Sequence, residues 1–251
     1  MNIQVPGYLY PVILAGTVVN VAAVLYGLKH SLKLAKWSDS DRQAGFNSIA
    51  MLLVGWAAAA IGLSWLGVFQ GAATRVPTVQ FGLGLPIIAG LVLYWRWGTL
   101  RRAVDAVPQS WLVGVQLYRT LGATFLILLA QGRLPGAFAW PAGAGDVLVG
   151  LLAPFAAVAY ARRSSRAAGR VLAWNLLGIA DLVVAVTTGF LTSPSPLQML
   201  AFDQPNRLVT AFPLVLIPVF LVPLSILLHL ASLKKLQKSE AGQGVSHAVL
   251  A

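Results

Sequence analysis

Seven times along the sequence about 20 residues pass with at most one charge among them, and this recurrence constrains the chain more than any other feature. A helix of that length spans the ~30 Å hydrocarbon layer of a bilayer. The runs are Leu9–Leu28, Phe46–Phe69, Val79–Trp95, Ser110–Ala130, Ala142–Ala161, Val171–Leu191 and Leu208–Leu233. A membrane β-barrel would instead show segments of about ten residues with alternating polarity, and no such alternation is present. Only 10% of the residues are charged, against about 25% in soluble domains. The expected fold is therefore an all-α, polytopic membrane protein: a single seven-transmembrane-helix bundle over residues 1–236. The small, polar tail 237–251 is expected to be disordered.

The basic residues between the runs alternate sharply. Fourteen of the 18 fall in one set of connections: Lys29, Lys33, Lys36 and Arg42; Arg96, Arg101 and Arg102; Arg162, Arg163, Arg166 and Arg170; Lys234, Lys235 and Lys238. The opposite set holds Arg75, Arg133 and Arg207. Because basic loops stay cytoplasmic, this pattern predicts an outside N-terminus and a cytoplasmic C-terminus. It also explains the formal charge of +11 without a nucleic-acid partner. "MNIQVPGYLY" lacks a basic n-region, so the first run is expected to remain as a membrane helix.

Inside the spans a few polar residues stand out. Arg119 and Asp181 sit near the middle of their runs, with Asn20 at a similar depth and Asp146 nearer the outer end. An ionised side chain at the centre of a membrane helix costs ~2.5–3.5 kcal/mol. Two of opposite sign at one depth are expected to pair, the arginine fork gripping the carboxylate. Gln116 shares a helix face with Arg119, and Asn175 lies on the broad arc that carries Asp181. Arg119, Asp181, Asn20, Asp146, Gln116 and Asn175 are thus the candidate solute- or ion-binding residues.

Gly16, Asn20, Ala23 and Gly27 form a small-residue face on the first run. Gly55 with Ala59, and Ala58 with Gly62, offer another on the second, the spacing that lets membrane helices approach closely. Pro213, Pro218 and Pro223 recur every five residues in the last run and are candidate hinges. His30 and His229 lie towards the basic ends of the first and last runs. A shared haem or metal there would make a redox protein, the third of three readings, and no metal site is assigned.

Several classes are excluded. There is no cysteine, hence no disulfide and no thiolate ligand or nucleophile. No lysine lies within a span, which removes a retinal Schiff base. No metalloprotease, serine-hydrolase or phosphate-loop motif is present, so nothing points to an enzyme, and no cofactor is expected. Two readings lead. One is a small-solute or ion/proton transporter or channel-like protein of the plasma membrane (the inner membrane in a bacterium). The other is a non-transporting sensor or accessory subunit with a structural Arg-Asp pair. The expected partners are the lipid bilayer and a small solute or ion; a homo-oligomer or a partner subunit is compatible with either.

Overall fold

A computed structural model describes residues 4–35, 37–70 and 78–249, with side chains described as far as residue 238. Lys36 and Arg75, used in the charge pattern above, lie outside the described residues. Among those residues the chain is helical without strands, and seven helices are long and apolar enough to cross a membrane. In order they are α1 (Leu9–Leu34), α2 (Asp39–Trp65) and α3 (Val79–Arg96), then a short α4 (Gly98–Ala106). The fourth span follows as α5 (Gln109–Gly114), a 3-10 stretch (Val115–Gly122) and α6 (Ala123–Ala130). The last are α7 (Gly136–Ala161), α8 (Ala167–Thr192) and α9 (Val222–Val249), the last preceded by a π-turn at Ile217–Leu221.

Local chemistry sets the ends. Ser38 caps α2 by accepting from the Asp41 amide at 3.1 Å, and Asp39 and Asp41 favour the positive end of the helix dipole. α3 runs through Pro86 uninterrupted. α9 runs past the expected boundary of residue 236 to Val249, because each residue added to an established helix gains a backbone bond.

Two spans differ from the sequence expectation. The helix carrying Asp146 begins at Gly136, ahead of the predicted Ala142, because the interior Pro141 is accommodated rather than excluded. Asp146 accordingly sits in mid-span, not near the outer end. The continuous membrane-length helix of the seventh span starts at 217, not at Leu208. Pro213 and Pro218 supply no amide donor, and Pro213 disfavours the α region for the residue before it. Residues 208–216 fold as a short 3-10 helix (Leu208–Thr210) followed by turns, and Leu208, Val209, Leu214, Val215 and Leu216 are buried. Irregular backbone at membrane depth is tolerated where protein covers it in this way.

The small-residue face of α1 packs on the fourth span, with Gly16 against Leu121 and Gly27 against Trp111. On α2 the equivalent stripe makes no such contact: a Cβ added at Gly55 or Gly62 meets nothing within 4 Å. Gly27→Val forces a side chain into the indole of Trp111 and is expected to lower stability by about 1–3 kcal/mol. Gly62→Val should stay within about 0.5 kcal/mol of the parent. Unfolding in mixed micelles against SDS mole fraction measures both.

Candidate functional site

The polar centre is assembled from the fourth span, α7, α8 and α9. Within the 3-10 stretch, residues three apart eclipse one another, so Gln116, Arg119 and Gly122 stack on one buried face. Arg119 is 3% exposed, and each of its three nitrogens is engaged. Nε donates to Asp146 Oδ1 at 2.8 Å, and Nη2 donates to Asp181 Oδ2. Nη1 faces both the Gly178 carbonyl and His229 Nε2, each at 3.2 Å. The fork is thus divided between two aspartates on two helices instead of gripping one. With both acids ionised the three groups carry a net charge of −1; with one proton bound the charge is zero.

Three missing side chains make the room. A Cβ at Gly122 would collide with Asp146, and one at Gly145 would enter the Asp181 carboxylate. One at Gly178 would strike the His229 ring and lie 3.1 Å from Arg119 Nη1.

From Arg119 a buried chain of polar groups leads toward the end of the bundle that carries the basic connections. For His229 Nε2 to accept from the guanidinium, the ring proton must sit on Nδ1. Nδ1 then donates to Asn175 Oδ1 at 2.9 Å. Asn175 Nδ2 donates to Ser232 Oγ at 2.8 Å, and Gln109 Nε2 donates to the same hydroxyl at 2.5 Å. The chain ends at Gln109 Oε1, buried and unpartnered among the described residues. Trp174 closes one side, its ring 4.8 Å from that of His229 and its Nε1 donating to the Val149 carbonyl at 3.0 Å.

On the other side of Arg119 two small cavities reach Asp146. One of about 20 Å³ is bounded by Arg119, Asp146, Tyr118 and Ser225, which is room for a single water with several polar partners. The second, about 60 Å³, runs from Asp146 past Phe138 and Pro218 to Gln80 and Ser193.

The other sequence candidates are placed as follows. Gln116 clamps the irregular seventh span: it accepts from Ser225 Oγ at 2.5 Å and donates to the Ser225 carbonyl at 3.2 Å. Tyr118 adds a hydrogen bond to the Leu221 carbonyl at 2.8 Å, beside the π-turn that holds Pro218. Pro213 lies in the buried turns and Pro223 in the first turn of α9. Asn20 is buried on the α1 face toward the fourth span, yet its amide atoms bond to none of the Arg119 group. His30 is exposed and stacks on Tyr26, while His229 belongs to the polar chain. No cluster of three or more metal-ligating side chains occurs among the described residues.

Sequence reasoning did not bring His229, Ser225, Ser232 or Gln109 to the site. A signal was available: Ser225, His229 and Ser232 recur at i, i+4 and i+7, a polar stripe on one face of an apolar helix.

A family model described as a domain of unknown function (DUF8737) matches residues 76–237. The matched stretch holds Arg119, Asp146, Asn175, Asp181 and His229, and leaves α1 and α2 outside. No curated protein and no solved structure matches the chain.

Proposed function

We propose that this chain, which belongs to that family by a match over more than half of its length, is a transporter of protons or of a small solute carried with them. In this reading it sits in the plasma membrane (the inner membrane of a bacterium) with its basic loops on the cytoplasmic side. The observation that carries the reading is one guanidinium ion-paired to two buried carboxylates. A purely structural pin needs one acid per base. The second acid leaves a unit of negative charge that a proton or a small cation neutralises, and intramembrane ionisable groups of this kind mark ion and proton pathways.

The surroundings give each residue a task. Asp146 borders the cavities on one side and is the group an incoming proton meets first. Arg119 holds Asp146 and Asp181 together, so that loading one carboxylate redistributes the fork onto the other. His229, Asn175, Ser232 and Gln109 supply the polar route on the opposite side. Pro218 and the π-turn place a flexible joint against the same centre.

A second reading, a sensor or accessory subunit with a structural cluster, is favoured by the engagement of all three guanidinium nitrogens. Reconstitution separates the two. Liposomes holding the protein and a pH-sensitive dye, under a valinomycin-set potassium potential, should show protein-dependent proton flux. Asp146→Asn and Asp181→Asn should each lower it at least tenfold while keeping the parent's elution profile. Absence of flux from the stable parent, across protons, sodium and potassium, would sink the transport reading.

A further inference from the structure

Toward the basic end of the bundle, α1, α2, α3, α4 and α9 enclose a chamber of about 550 Å³, a size that takes a drug-sized or lipid-like ligand. Its walls are hydrocarbon: Leu53 and Trp56 from α2, Pro86 and Gly90 from α3, Leu227 from α9. Water gains nothing there, lacking the two to four polar partners it needs. Empty space of that volume forfeits the contacts of every lining atom. Hydrocarbon is the occupant the walls accept.

The neighbouring elements show where it enters and what its head group meets. α2 packs chiefly on α1, and α3 chiefly on α9 and the π-turn, so a lateral slot is left between α2 and α3. No residue of α3 is buried. The floor is α4 with the residue that follows it, which turn Leu100, Ala103, Val104 and Val107 to the chamber at i, i+3, i+4 and i+7. Arg101 and Arg102 stand exposed on its other face, the build of a helix lying in a membrane interface. At the mouth stands Lys234, its ammonium 5.3 Å from the Tyr94 ring centre. Its neighbours are already committed: Lys238 pairs with the Asp105 carboxylate at 2.7 Å, and Lys235 donates to the Asp105 carbonyl at 2.5 Å. Lys234 has no carboxylate in ion-pair range among the described residues.

We propose that the chamber binds an acyl chain of an acidic phospholipid from the leaflet facing the basic loops, with the phosphate held by Lys234. The site is independent of the Arg119 cluster. It gives the loosely packed α2–α3 side a specific filling, and it selects by head-group charge while the apolar walls supply affinity.

The test is native mass spectrometry on the full chain in detergent, titrated with dioleoyl phosphatidylglycerol and, separately, dioleoyl phosphatidylcholine. Phosphatidylglycerol should bind at least tenfold more tightly. Each basic residue near the head group is worth about a fivefold change in affinity, so Lys234→Gln should cut phosphatidylglycerol binding by that factor and leave phosphatidylcholine unchanged. Ala103→Trp, filling the chamber from its floor, should weaken both lipids. Lys234→Gln is at the interface and keeps the test valid if the tryptophan variant does not fold. Equal binding of the two lipids by the parent overturns the proposal, as does an undiminished preference in Lys234→Gln. Displacement of the lipid by millimolar glycerol phosphate would also overturn it, showing a free anion site without a role for the acyl chain.

Discussion

Arg119→Gln is expected to be the most damaging substitution in the protein, lowering stability by about 3–5 kcal/mol. The change removes the only cation that faces Asp146 and Asp181 among the described residues and strands both carboxylates in a buried site. The two possible partnerships differ in their symmetry. In a one-to-one ion pair, removing either member leaves one unpaired charge, and the two losses are comparable. Here Asp146→Asn or Asp181→Asn leaves the guanidinium one carboxylate and a balanced charge, so each should cost less than half as much as Arg119→Gln. The combined variant Arg119→Gln, Asp146→Asn, Asp181→Asn should recover most of the loss, because no charge then remains to be compensated. Unfolding in mixed micelles against SDS mole fraction gives all four values. An Arg119→Gln protein as stable as the parent would show that the cluster does not hold the fold together.

Gly178→Val should come second, at about 1–3 kcal/mol or more, and should disturb the site beyond its effect on stability. The new side chain enters the space of the His229 ring and the Arg119 guanidinium. These two groups are fixed by hydrogen bonds to Asn175, Asp146 and Asp181, so neither moves aside without leaving a buried polar atom unpaired. Gly55→Val is the matched control, since nothing lies within 4 Å of its added Cβ, and it should remain within about 0.5 kcal/mol of the parent. Proton flux in liposomes supplies the second readout: it should fall in Gly178→Val and persist in Gly55→Val. Equal stability of the two variants would mean that the cradle is softer than its geometry implies.

The spans were legible because bilayer thickness imposes a length and an apolarity that single residues cannot hide. The residues at depth were legible for the same reason: a charge such as Arg119 or Asp181 is too costly there to be incidental. What did not follow was the azimuth of each side chain and the pitch of its helix. Asn20 was grouped with Arg119 by depth alone, yet its buried amide hydrogen-bonds to none of that group. Asp146 was expected nearer the outer end because its apolar run starts at Ala142, just after Pro141; in a membrane helix, where neighbouring groups satisfy the freed carbonyls, such a proline lies well inside. The 3-10 stretch at Val115–Gly122 depends on Gly143 and Gly150 of α7 approaching its backbone closely, a tertiary condition that no local pattern in "VQLYRTLG" records.

That stretch has a mechanical side. A 3-10 helix rises about 2.0 Å per residue and turns about 120°, against about 1.5 Å and 100° for an α-helix. Over the eight residues Val115–Gly122 the tighter winding lengthens the span by about 4 Å, and over the four steps from Val115 to Arg119 it turns the guanidinium by about 80° relative to α5. Rewinding the segment to α pitch would work like a screw, drawing α5 and α6 together while swinging Arg119 away from one aspartate. The ion pairs to Asp146 and Asp181 are the detent that holds the screw in its present position. Neutralising one of those carboxylates would loosen the detent, and a local change of charge would then become a coupled shortening and rotation of the whole fourth span.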